Sequence, residues 1–223
     1  MDEQKNSGNP GTARRSARER AYEWIGEAIL SGRYAEGRFL DEAVLAAEVG
    51  TSRTPVREAL HRLQAESFVE LVPRRGAQVR VVTSTEMKEI YQARFVIESH
   101  AATEICRHRR GAPADARELI EEMEAAGRER DWNTMARLDQ LFHASLVRHR
   151  GNAVLAEMYD AMRPRQVRLS VRTITEAPER LATIEREHRL IAELLGGHDG
   201  EAAVAVLATH LREVPEVVRA FPG

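Results

Sequence analysis

Cysteine is all but missing from this chain of 223 residues: Cys106 stands alone, which excludes an internal disulfide and any all-thiolate zinc site. Long apolar runs are missing too. No uncharged stretch reaches the ~18 residues a membrane-crossing helix needs, and no apolar segment follows the charges at the amino terminus, so neither a transmembrane helix nor a secretory signal is expected. An excess of one charge is also absent. Lys and Arg number 33 against 35 Asp and Glu, a formal net of −2, so no global field draws the whole protein to nucleic acid or membrane. What remains is 43% hydrophobic and 30% charged, the composition of a globular protein of one or two domains, expected in the cytoplasm.

Residues 1–17 offer almost nothing to bury and predict a flexible tail, which either frays or lets Arg14 and Arg15 brush a phosphate backbone. From Arg18, apolar residues at three- and four-residue spacings (Tyr22, Ile25, Ile29, Leu30) predict a helix ending at Gly32. A linker, RYAEGRF, precedes a short helix capped by Asp41, with Val44, Leu45 and Val49 inward and Gly50 closing it. Thr51 or Ser52 caps a third helix that buries Val56, Leu60 and Leu63. Strand-like runs at 68–72 and 77–82 flank Pro73-Arg74-Arg75-Gly76, a hairpin turn. Thr83 and Glu86 have capping-box spacing and mark a domain boundary. Beyond it only helices are predicted, over about 84–110, 114–128, 132–149, 152–175, 178–196 and 200–214. The expected fold is therefore mainly α, with a winged helix-turn-helix over 18–82 and an all-helical bundle over 83–223.

The first 82 residues hold 13 basic and 12 acidic side chains, so an argument for nucleic acid must rest on local placement. In SRTPVREALHRL (52–63), Pro55 sits in the first helical turn, where its missing N–H is harmless. Ser52, Arg53, Thr54 and Arg57 gather at the outward amino-terminal end, with the two arginines one turn apart. Free backbone N–H groups, hydroxyls and forked guanidiniums suit phosphates and guanine edges. A solvated helix face is the plain alternative, but the preceding helix and the arginine-tipped hairpin complete a unit fit for DNA.

The helical half carries a second constellation. Asp139 and His143, four apart, edge the apolar stripe of Met135, Leu138, Phe142 and Leu146. His188 falls within the stripe of Leu181, Ile184, Ile191 and Leu195, and His210 among Val206, Leu207, Leu211 and Val214. Each histidine alone reads as a satisfied core residue. Together with a carboxylate they need partners, since an unpaired buried carboxylate costs several kcal/mol. One divalent cation would satisfy all four groups from inside a bundle, and one carboxylate with three imidazoles suits zinc first, then nickel, manganese or iron, better than calcium.

The stretch from AILSGRYAEGRF through SRTPVREAL to PRRGAQV resembles the winged helix-turn-helix of the GntR superfamily of bacterial transcription regulators. The resemblance implies DNA contacts by Ser52, Arg53, Thr54 and Arg57, with Gly76 at the wing tip approaching the minor groove. Two departures stand out: Ala43 where many members have a DNA-touching arginine, and Ser67 where glycine is usual. The helical half, with YQARFVIESHAA, DQLFH, GNAVL, EHRLI and a last histidine, is similar to the FCD effector domain of the FadR branch. In metal-binding members the ligands are the residues matching Asp139, His143, His188 and His210, and all four are present.

A divalent ion with four protein ligands leaves positions for water or an anion, which favours a small carboxylate effector. Arg94 is a candidate second clamp on it, or else a surface partner of Glu98 at i, i+4 spacing. Asn152 either reaches the effector or caps a helix. Arg163, Arg165, Arg168 and Arg172 are expected on a solvated or subunit-facing side. The function these features imply is a homodimeric, ligand-responsive regulator on a palindromic operator in double-stranded DNA, a repressor in the first instance. Two-fold pairing doubles the few base pairs one helix can read. A metal-dependent hydrolase is the alternative. It lacks an obvious general base, because Glu187 points about 100° away from His188 on its helix.

Overall fold

In a computed structural model of the protein, residues 16–212, 218, 219 and 222 are described. Residues 1–15 of the expected tail, and 213–214 of the last expected helix, lie outside them. Among the described residues no helix is long and apolar enough to cross a membrane.

The winged unit begins with α1 (Ala17–Leu30), capped by the Ser16 hydroxyl, which accepts the Glu19 N–H at 3.1 Å. It buries Ile25 and Ile29 as expected, together with Ala21 and Ala28. Helix α2 (Glu42–Val49) is fixed at both ends. Asp41 accepts the N–H groups of Ala43 and Val44, and Gly50 closes the helix at φ +71°. Its inner face falls on Leu45 and Ala46, so Val44, expected inside, is 52% exposed. Helix α3 (Arg53–Ala65) buries Val56, Ala59, Leu60 and Leu63, and full burial of each leucine stabilises by about 1.5–3 kcal/mol.

Strands β2 (Val69–Val72) and β3 (Gly76–Val79) form the wing, with Val69 opposite Val79 and Val72 opposite Gly76. A two-residue strand, β1 (Phe39–Leu40), lies within the expected linker and pairs with β3, giving the order β1-β3-β2. Two residues are too few to show alternation, which is why the sequence reads there as a linker. Gly76 is fixed by this pairing: at φ +92° a Cβ would stand 2.6 Å from the Leu40 carbonyl oxygen. The wing tip is thus Pro73, Arg74 and Arg75, and Gly76 is the first residue of the strand behind it. Ser67 lies at φ +63°, the conformation glycine adopts most easily.

The remainder is helical: α4 (Ser84–Arg107), α5 (Ala116–Glu129), α6 (Trp132–His149), α7 (Ala153–Glu176), α8 (Leu181–Gly196) and α9 (Gly200–His210), with a 3-10 turn at Pro178–Arg180. Thr83 accepts the Glu86 N–H at 3.1 Å, the first half of the expected capping box. Helix α6 packs between α5 and α7, while α4 lies against α6, α7 and α9. Phe142, Leu146, Ile191 and Leu195 centre a core separate from that of the winged unit.

The two cores meet along a polar seam. Arg168 of α7, expected at a solvated or subunit-facing side, is buried there at 8% exposure. Its guanidinium donates to the carbonyl of Ser67 at 2.8 Å and to that of Arg80, and it faces Glu36. Arg172 donates to the same Glu36 at 2.8 Å. From α6, Asn133 and Arg137 both donate to Glu27 of α1.

Candidate metal centre and nucleic-acid interface

Three helices bring four donor groups to one point. Asp139 and His143 project from one face of α6, His188 from the middle of α8 and His210 from the end of α9. One ligand atom from each lies within 4.8 Å of all the others. The three Nε2 atoms form a near-equilateral triangle: His143 to His188 is 3.1 Å, and His210 is 3.2 Å from both. Asp139 Oδ1 is 3.2 Å from His188 Nε2 and 3.7 Å from His143 Nε2. Three imidazoles cannot satisfy such a triangle by hydrogen bonds alone, because a neutral ring carries a single N–H. Donor atoms at this spacing fit around one cation with metal–ligand bonds of about 2.0–2.2 Å.

The backs of these ligands are held in turn. Gln140 and Ser170 donate to Asp139 Oδ2 at 2.7 and 3.2 Å, which leaves Oδ1 for the shared point. Glu98 Oε2 lies 2.7 Å from His143 Nδ1, and Glu187 Oε2 lies 2.9 Å from His210 Nδ1. A carboxylate behind a histidine fixes its tautomer and raises its basicity as a ligand. Glu98 is itself held at Oε1 by Tyr159, at 2.6 Å, and by Arg94 Nε, at 2.8 Å. Burial works against ionising Asp139, but His188 and the neighbouring positive groups hold its carboxyl well below the usual range. Burial pushes His210 down to about 4 against the pull of Glu187, and it lowers His143 as well. At neutral pH Asp139 is therefore a carboxylate and His143 and His210 are neutral imidazoles, the protonation state that binds a metal.

Glu98 and Glu187 are the residues that sequence reasoning misses as partners of the site. Glu187 does diverge from the His188 ring, and that divergence carries it onto His210. The Arg94–Glu98 pair is not on the surface: the residues are 3% and 0% exposed. Arg94 lines a cavity of about 50 Å³ beside Asp139, His210 and Ser170. Asn152 caps α7 by accepting the Leu155 N–H at 3.1 Å, and it is not among the residues lining that cavity.

At the far side of the winged unit, Ser52, Arg53, Thr54 and Arg57 are all exposed around the start of α3. Ser52 occupies the cap position with its side chain unbonded to the helix. A concave surface runs from Arg53 and Arg57 to the wing tip at Arg74 and Arg75, with Gly76 behind the tip. The Arg57 fork is engaged by Glu42 in two parallel bonds of 2.9 and 2.7 Å. The Arg75 guanidinium stacks 4.1 Å over the Phe39 ring.

A family model described as bacterial regulatory proteins, gntR family, matches residues 17–79, and one described as the FCD domain matches residues 89–213. The chain is 30% identical over 194 residues to the Nta operon transcriptional regulator of Aminobacter aminovorans, covering 85% of this chain and 90% of that one. It is 27% identical over 195 residues to the gluconate operon transcriptional repressor of Bacillus subtilis, covering 85% and 80%. Among solved structures, a GntR regulator from Rhodococcus sp. RHA1 superimposes with a TM-score of 0.73 at 23% identity, over 88% of this chain and 94% of that one. Escherichia coli McbR/YncC does so with a TM-score of 0.70 at 24% identity, over 89% and 94%. These two structures share the fold.

Proposed function

Because this chain belongs to the gntR family of bacterial regulatory proteins and carries an FCD domain, it is a DNA-binding transcription regulator rather than an enzyme, and we propose that it acts as a homodimer whose grip on a palindromic operator is set by a small carboxylate bound at a divalent metal ion. The observation that carries this reading is the convergence of Asp139, His143, His188 and His210. Zinc suits the donor set best, with nickel, manganese and iron as the other first-row choices. Such a cation supplies a positive charge and open positions for a carboxylate oxygen. Arg94 adds a guanidinium from the cavity wall. The relatives named for operons, some as repressors, favour repression of an operon here.

In this reading Ser52, Arg53, Thr54 and Arg57 meet the major groove, and the wing lies over the minor groove with its tip arginines and Gly76. Effector binding shifts the population of winged-unit positions rather than unfolding anything. The path runs along α7. Ser170 touches the back of Asp139, and Arg168 and Arg172, each two residues away, hold the winged unit through Glu36, Ser67 and Arg80. A hydrolytic reading gains no support, since the two carboxylates beside the ligands, Glu98 and Glu187, are taken by His143 and His210.

Elemental analysis of protein purified without chelator, followed by melts with zinc, acetate and both, tests the proposal. The expected result is bound metal and a melting temperature that rises most with both present, by linkage. An Asp139→Ala variant that kept the full response would overturn it.

A further inference from the structure

With a divalent cation at the ligand cluster, the cavity beside Asp139 would hold more positive charge than a single carboxylate can cancel. Inside it, Arg94 gives Nε to Glu98, while its Nη2 is buried without a partner among the described residues. At the mouth stand Arg180, half-buried, and Arg212, exposed. Neither forms an ion pair within the described residues. Around the cavity these three guanidiniums balance the carboxylates of Asp139, Glu98 and Glu187, so a divalent cation at the ligand cluster leaves two positive charges uncompensated. A monocarboxylate cancels one of them, and a dianion cancels both. The cavity wall mixes apolar side chains such as Met135 and Ile184 with the hydroxyls of Tyr91 and Thr173, which lie 3.5 Å apart. The space admits about four water molecules, so it suits a short chain only.

We propose that Arg180 and Arg212 form a second anion subsite at the cavity mouth, and that the effector is a short diacid, with one carboxylate inside near Arg94 and the other at these two arginines. This deepens the metal-and-acid reading above and rests on it. Arg180 and Arg212 are then the residues that separate diacids from monoacids. Arg94 and the ligand cluster bind the acid group common to both classes.

The test is calorimetry and thermal melts of the zinc-loaded protein with propionate, succinate and malate at fixed ionic strength, since the outer charges are partly screened. The diacids are expected to bind about tenfold or more tightly than propionate, the effect of one added charge-assisted pair. In an Arg180→Gln/Arg212→Gln protein this preference is expected to vanish while propionate affinity stays as in the parent. An unchanged zinc-induced rise in melting temperature would show that the variant's fold and metal site are intact. Equal binding of propionate and succinate by the parent would overturn the subsite, as would a diacid preference that survives in the double variant. If zinc stabilises the protein but no acid of either kind binds, the metal-and-acid reading fails and takes the subsite with it.

Discussion

The Ser170 hydroxyl rests 3.2 Å from the rear oxygen of Asp139, two residues along α7 from the buried Arg168 guanidinium that holds the winged unit. Ligand cluster and domain seam thus share one turn of a single helix, so a shift of Asp139 passes to the seam without any loop between them.

Replacing Ser170 by Ala removes that contact and leaves both ends in place. The variant is expected to fold, bind metal and bind operator like the parent. The difference between operator affinities with and without zinc and acid should shrink. Couplings of this kind amount to about 1–3 kcal/mol. Fluorescence anisotropy on an operator fragment, with and without effector, measures it. An undiminished response would remove Ser170 from the path.

At the other end of the molecule, Glu42 holds the Arg57 fork that we propose for the operator. Arg57→Ala should weaken specific binding by about 1–3 kcal/mol, the discrimination carried by one bidentate base contact. Glu42→Gln should tighten binding a few-fold, because it frees the guanidinium and removes a negative charge facing phosphate. Titrations of both variants at one salt concentration decide the matter. Weaker binding by Glu42→Gln would mean that the carboxylate orients Arg57 rather than occupying it.

Ser67 adopts a left-handed conformation at φ +63° just before the wing. A non-glycine residue there carries roughly 1 kcal/mol or more of strain, part of which glycine gives back through its freer unfolded chain. Ser67→Gly should therefore raise stability by about 0.5 kcal/mol, one or two degrees in melting temperature. The carbonyl that accepts Arg168 is unchanged by the substitution. A lower melting temperature would show that the serine side chain stabilises the turn.

Alkaline pH, with parent and variant compared, probes Tyr22 of the winged unit. Tyr22 donates to Glu66 Oε2 at 2.6 Å, and burial, then that bond, pushes its phenol up to about 12 from 10. The folded value lies above the unfolded one, so its contribution is complete below pH 10 and fades as pH climbs through 12. Because the ring is only half-buried, the effect is discounted to about 1 kcal/mol. Between pH 9 and 11.5 the melting temperature of Tyr22→Phe should fall less steeply than that of the parent.

Much of this architecture was legible in sequence because its signals are local. Asp41, Thr83 and Gly50 announce helix ends by chemistry that acts within three residues, and all three sit where that chemistry puts them. His188 betrays itself by lying in an apolar stripe. The partners behind the ligands could not be read in this way. Glu98 and Glu187 acquire their meaning only when α4 meets α6 and α8 meets α9, and a helical wheel contains no information about its neighbours. Arg168 misleads for the opposite reason: an arginine reads as surface until two domains close over it.

That enclosed cation has a consequence for how the regulator moves. A guanidinium parked between two bodies is comfortable when its acceptors are all within reach, and again when the joint has opened enough for water to flood in. Halfway apart it has neither, so in the proposed shift of the winged unit intermediate postures of the reading head are penalised, and the joint is expected to behave as a latch with two resting places rather than as a spring.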